Sequence, residues 1–92
     1  MGDLKEEVIK AFADQIHREY AAGMLYRQVY HWFELNLYPG TAKFFRQEAE
    51  EEMGHAHILE DYLLKRNANI HLHDIPVNTH KANQWKKPLE IF

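Results

Sequence analysis

The chain has 92 residues, a hydrophobic fraction of 46% and an aromatic fraction of 13%, which make one small folding domain and exclude a disordered chain. A net charge of −3, with eleven Lys and Arg scattered and no basic block, argues against nucleic acid as a partner. Cysteine and serine are both absent and the only threonines are Thr41 and Thr79, so neither a thiolate metal site nor a Ser or Cys nucleophile is available.

The N-terminus MGDLKEEVIK is charged throughout and does not read as a signal peptide. No uncharged stretch approaches the roughly 18 residues that a membrane helix requires, so the expected compartment is the cytoplasm. Seven histidines stand beside fourteen acids. That balance leans toward a metal held by carboxylate and imidazole, although His17, His57, His71, His73 and His80 read first as solvated surface.

Asp3 followed by Glu6 has the spacing of a helix N-cap and its capping-box partner. Val8, Phe12, Ile16, Gly23, Tyr26, Tyr30 and Phe33 then trace a helical stripe, with Glu19 filling the gap between Ile16 and Gly23. The spacing predicts a helix over about residues 3–35. LNLYPG, residues 35–40, is the turn, with Pro39 suited to the first position of a second helix.

The second helix is expected over about residues 39–66. Its stripe runs Ala42, Phe45, Ala49, Glu52, Ala56, Leu59, Leu63 in alternating steps of three and four, a seam for close helix packing. NAN, residues 67–69, stops it. Residues 67–92 have no sustained period and read as an extended tail, with PLEIF, residues 88–92, as the first turn of a further helix. His71 and His73 alternate as on an extended segment, a weaker second metal site or plain surface.

The expected fold is therefore all-α: an antiparallel two-helix hairpin over residues 1–66, followed by the tail. A lone hairpin with such wide aromatic stripes leaves an apolar face wet, and pairing two hairpins into a four-helix bundle removes it. A homodimer is the expected minimal unit, with larger assemblies left open.

Each stripe is interrupted once by a carboxylate, Glu19 and Glu52. Folded back at the turn, the two lie within about one helical turn of the same height at ~1.5 Å per residue. Two buried carboxylates at one level repel and lose hydration unless a positive charge lies between them. His55, three residues after Glu52, shares its face, so a divalent cation resolves the conflict. A Glu held neutral, or paired with Arg18, Arg27 or Lys43, remains the alternative. Two hairpins related by a twofold axis would offer four carboxylates and two imidazoles to two ions.

At this point the sequence resembles a ferritin. QIHREYAAGMLY, residues 15–26, is similar to the first-helix segment of that family. GTAKFFRQEAEEEMGHAHILEDYL, residues 40–63, resembles its second-helix signature, which contains Glu-Glu-x-x-His. NIHLHDI, Trp85 and PLEIF resemble the long loop toward its third helix. The ligand set, two Glu and two Glu-x-x-His motifs, is that of ferritin-like di-iron and di-manganese bundles.

The resemblance implies that Glu19 is a terminal iron ligand, Glu52 the bridging carboxylate and His55 the nitrogen ligand. Tyr26 would stand beside the iron pair, where plain aromatic core is its other reading. Glu51 would be an auxiliary metal-binding acid, where a solvated helix face serves as well. Gly23 reads as a small residue for close helix approach. A ferritin has four long helices, and this chain matches the first two and the loop after them, so it reads as a half-ferritin or a fragment.

The activity implied is that of a ferroxidase with Fe(II) and dioxygen as substrates, two Fe per dimer, serving iron storage or detoxification. Another di-iron or di-manganese oxidoreductase that scavenges peroxide, and a non-catalytic helical interaction module, are the competing readings.

Overall fold

The computed structural model describes residues 4–72 together with Asp74. Over these residues the chain is all-α, with helix α1 at Glu6–Leu35 and helix α2 at Pro39–Lys65 folded as an antiparallel hairpin. The helical start expected at PLEIF, together with His73 and His80, lies outside the described residues.

Helix α1 begins later than the spacing suggests. Lys5 occupies the cap with extended backbone (φ −66°, ψ 147°) and supplies no side-chain bond. Its carbonyl accepts from the amides of Val8 and Ile9, each at 3.0 Å. Glu6 therefore opens the helix instead of closing a capping box, and with Glu7 it puts acid at the positive end of the helix dipole. Asp3 lies outside the described residues.

Both helices end in the same way. After α1, Leu37 takes a left-handed φ of 65°, its amide donating to the carbonyl of Glu34 and that of Tyr38 to the carbonyl of Phe33. After α2, Asn67 takes φ 57°, its amide donating to Leu64 and that of Ala68 to Leu63. This pair of bonds ties off carbonyls that the helix itself leaves open. Asparagine suits the left-handed position; leucine does not, and at Leu37 the strain is on the order of 1 kcal/mol. Pro39 opens α2 as expected, where its missing amide hydrogen costs nothing.

In α2 every second member of the expected stripe, Ala42, Ala49, Ala56 and Leu63 at seven-residue intervals, is buried, whereas Phe45, Glu52 and Leu59 between them are half-buried. The seam of α1 differs. Ala13, Ile16, Gly23, Val29 and Phe33 are buried, whereas Val8, Phe12, Tyr26 and Tyr30 from the expected stripe are only half-buried. Gly23 takes the close approach to α2, and the bulky side chains Phe12, Tyr26 and Tyr30 are only partly covered.

Two apolar clusters result. At the open end Ile16 packs with Ala56 and Leu63, flanked by Phe12, Leu59 and Ile70. At the turn end Val29, Phe33 and Ala42 pack together, with Phe45 stacked on Phe33 at 5.6 Å between ring centroids. Gly23 brings the backbones together between the clusters: a β-carbon there would lie 3.4 Å from the carbonyl oxygen of Ala49 and 2.9 Å from the Met53 methyl. Phe44, Ile58, Tyr62 and Leu64 remain exposed, so the hairpin retains uncovered apolar surface. No helix among the described residues is long and apolar enough to cross a membrane.

Candidate metal centre

The site lies where the two stripes are interrupted, one turn from the Gly23 contact. Glu19 follows Ile16 on α1, and Glu52 sits between Ala49 and Ala56 on α2, so seam packing fixes both backbones. His55, one turn further along α2, brings its Nδ1 to 3.5 Å from Oε2 of Glu19 and 3.8 Å from Oε1 of Glu52. One ligand atom from each of the three lies within 4.8 Å of the others. The helices thus meet at the register that the spacing implied.

The burial is graded. The side chains of Glu19 and Glu52 are 15% and 22% exposed, against 55% for His55, so the imidazole forms the solvent edge of the site. Oε1 of Glu19 accepts a 2.8 Å hydrogen bond from the amide of Gln15. Oε2 of Glu19 is buried and has no hydrogen-bond partner. A buried carboxylate oxygen left without a donor is costly, and a cation bound there would remove the cost.

The two carboxyls titrate as a pair. Glu52 is pushed above the ordinary carboxylate value, first by Glu19 as a hydrogen-bonding neighbour, then by burial and by the charge of Glu19, with Glu48 adding to it. Glu19 is held below that value, chiefly because a protonated Glu52 beside it can share its proton. Burial opposes this, while Gln15 and His55 assist. Neither Glu52 nor His55 closes a well-formed bond on Oε2, so the sharing is a matter of proximity.

The cationic alternatives in the sequence are engaged elsewhere or stand apart. The guanidinium of Arg18 donates to Gln15, and that of Arg27 lies 5.4 Å from the Tyr30 ring centroid. Lys43 lines a surface groove with Tyr30, Glu34 and Arg46. Among the described residues the basic side chain reaching both carboxylates is His55.

Tyr26 and Glu51 are not members of the trio. Tyr26 is half-buried with its ring 5.9 Å from Phe45, toward the turn from the site, and Glu51 is exposed on α2. His71 is exposed and joins no cluster of metal-ligating side chains among the described residues. His17, read as plain surface, is half-buried and its Nε2 lies 3.1 Å from the carbonyl oxygen of Asp74. Two further features escaped the sequence reading: the Gln15 bond to Glu19, and a 2.9 Å interhelix bond donated by the Tyr20 hydroxyl to Glu60. The first was visible as an i, i+4 spacing. The second needed the register of the two helices.

A family model for the ferritin-like domain matches residues 9–92. A bacterial non-heme ferritin of Bacteroides fragilis is 32% identical over 89 residues, spanning 97% of this chain and 54% of the relative. One from Escherichia coli O157:H7 is 38% identical over 60 residues, 65% of this chain and 36% of the relative. Among solved structures, a variant of PmFTN soaked in iron superposes with a TM-score of 0.84 at 28% identity, covering 95% of this chain and 54% of that one. Ferritin from the green alga Ulva pertusa superposes with a TM-score of 0.75 at 33% identity, covering 79% and 38%. The chain therefore spans about half the length of the first relatives it matches. With the hairpin, the carboxylate–imidazole trio and a match across residues 9–92 in agreement, the chain belongs to the ferritin-like domain family.

Proposed function

We propose that this chain is a ferroxidase-type iron-binding protein acting in the cytoplasm, in which two copies pair into a four-helix bundle and bring Glu19, Glu52 and His55 from each to a shared di-iron centre. Fe(II) and dioxygen are the substrates, at two Fe per dimer, with iron storage or detoxification as the outcome. Bound Fe(II) would supply one electron per ion to dioxygen.

The observation that carries this reading is Oε2 of Glu19, buried without a donor and facing a second carboxylate and an imidazole nitrogen. Oxygen and nitrogen donors of this kind suit iron, and the absence of thiolate suits a centre meant to reach the ferric state. The residues have separable tasks. Glu19 and Glu52 set negative charge where cations are to sit, and Glu52 surrenders its shared proton when one arrives. His55 presents Nδ1 inward, and its exposure leaves the other ring nitrogen to water. The exposed apolar side chains Phe44, Ile58 and Tyr62 favour pairing of hairpins. The match to iron-soaked PmFTN at 28% identity supports the same chemistry.

The test is an aerobic titration of the metal-free protein with Fe(II), following ferric absorbance on a sample of known native mass. A break at one iron per chain in a dimer, or a multiple of it, is expected. No oxidation above the buffer rate, in a folded dimer, overturns the proposal.

A further inference from the structure

A chain of three polar side chains leads from the surface to the metal-ligating trio. The guanidinium of Arg18 donates twice to Oε1 of Gln15, from Nε at 3.1 Å and from Nη2 at 2.9 Å. The amide of Gln15 in turn donates to Oε1 of Glu19 at 2.8 Å. We propose that Gln15, oriented by Arg18, is a positioning residue that holds one oxygen of Glu19 so that the other, Oε2, is presented to the metal.

The chemistry of the three groups allows only one arrangement. A guanidinium can only donate and a carboxylate can only accept, whereas a primary amide has one end of each kind. Placed between the two, the amide of Gln15 must turn its oxygen to Arg18 and its nitrogen to Glu19; the reverse would oppose like groups at both contacts. Residues 15, 18 and 19 stand at i, i+3 and i+4 of one helix, so the backbone of α1 alone brings the three together.

The consequence for Glu19 is geometric. Free in a half-buried site, its carboxylate would turn to hydrate whichever oxygen lacked a partner. With Oε1 held, that rotation is closed, and Oε2 stays 3.5 Å from Nδ1 of His55. Gln15 and Arg18 also border a groove of about 360 Å³ whose other walls include Val8, Phe12 and Leu59. An outer partner that orients a metal-binding side chain in this way is commonly as influential as a weak ligand.

This inference rests on the reading of Glu19, Glu52 and His55 as metal ligands. It is tested with cobalt(II) and the full chain, by calorimetry and by the visible d–d absorption of the bound ion. Gln15→Leu is expected to weaken cobalt binding about 10- to 100-fold and to alter the d–d band, as the freed carboxylate changes its mode of ligation. Arg18→Leu, at an exposed position, is expected to weaken binding less, and Arg18→Lys, which keeps a donor, to recover most of that loss. Gln15→Leu combined with Arg18→Leu is expected to be no weaker than Gln15→Leu alone, because Arg18 acts only through Gln15.

Unchanged affinity and an unchanged band in a folded Gln15→Leu protein overturn the proposal, as do losses that add in the double variant. The unaltered chain separates the two levels: if it takes up no cobalt, the metal reading itself fails and the positioning role falls with it.

Discussion

Nδ1 of His55 stands 3.5 Å from Oε2 of Glu19, so α2 presents a ring nitrogen to a buried carboxylate oxygen of α1 that has no hydrogen-bond partner. Oε1 of Glu52 stands 3.8 Å from the same ring nitrogen, so three potential ligand atoms converge across the helix interface. The trio is held together by the Ile16–Ala56 and Phe33–Ala42 packing on either side.

Metal should therefore stabilise the fold as well as occupy it. A divalent ion at about 100 times its dissociation constant contributes on the order of 2.7 kcal/mol to the state that binds it. Anaerobic Fe(II) is expected to raise the thermal midpoint of the native chain, and to leave Glu19→Gln and His55→Ala where they stand without metal. Equal shifts in all three proteins would place the stabilising ion elsewhere.

The shared proton gives the apo protein a definite pH dependence. Glu52 has a raised value when folded, so its contribution is full below the ordinary 4.5 and is lost as pH rises through the raised value. Glu19 is lowered, so its contribution is present above 4.5 and lost as pH falls through the depressed value. Apo stability contributed by the pair should therefore decline as pH rises from the ordinary 4.5 through the raised value of Glu52. Glu52→Gln removes the repulsion and is expected to flatten that decline, with a gain on the order of 1 kcal/mol at neutral pH and loss of metal binding. Denaturant melts of both proteins across pH measure it.

Tyr20 and Glu60 form a cross-helix bond that the metal reading does not use. Burial and the Glu60 carboxylate push the Tyr20 hydroxyl up to about 12. A raised value means that this stabilisation is present below the ordinary 10.0 and is lost as pH rises through about 12. Tyr20→Phe is expected to cost about 1.5–3 kcal/mol at neutral pH, the range for a hydrogen bond to a charged group. The variant should also lose the latest-titrating component in tyrosinate absorbance.

Gly23 tests how closely the helices must approach. Alanine would gain about 1 kcal/mol of helix propensity over glycine. Its β-carbon would meet the Met53 methyl, the mobile end of a flexible side chain, so Gly23→Ala is expected to be near neutral. Gly23→Val also presses on the Ala49 carbonyl and should cost about 1–3 kcal/mol by overpacking. Because Glu19 is one turn away, the valine variant should weaken metal binding in parallel, which calorimetry of the same samples would reveal.

The α2 seam was readable because Ala42, Ala49, Ala56 and Leu63 keep a strict interval in an uninterrupted helix. The α1 seam was read less well. Its pattern was drawn through the largest apolar residues, whereas Ala13 and Val29, outside that pattern, are buried and the rings of Phe12, Tyr26 and Tyr30 are only half-buried. The capping box was misplaced for a similar reason: Lys5 takes the cap by backbone conformation, which residue type does not announce.

By itself the sequence determined the two helices, the break at Pro39, and the pairing of Glu19 with Glu52 and His55. Those follow from helical periodicity and chain reversal, both of which are local. Only the tertiary structure decided which oxygen of Glu19 is bare, that Gln15 holds the other, and that Tyr20 reaches Glu60. Those depend on side-chain rotation and on the spacing between helices. Both are set by packing across the seam, where small residues permit contacts of a few ångströms that no interval along one helix encodes.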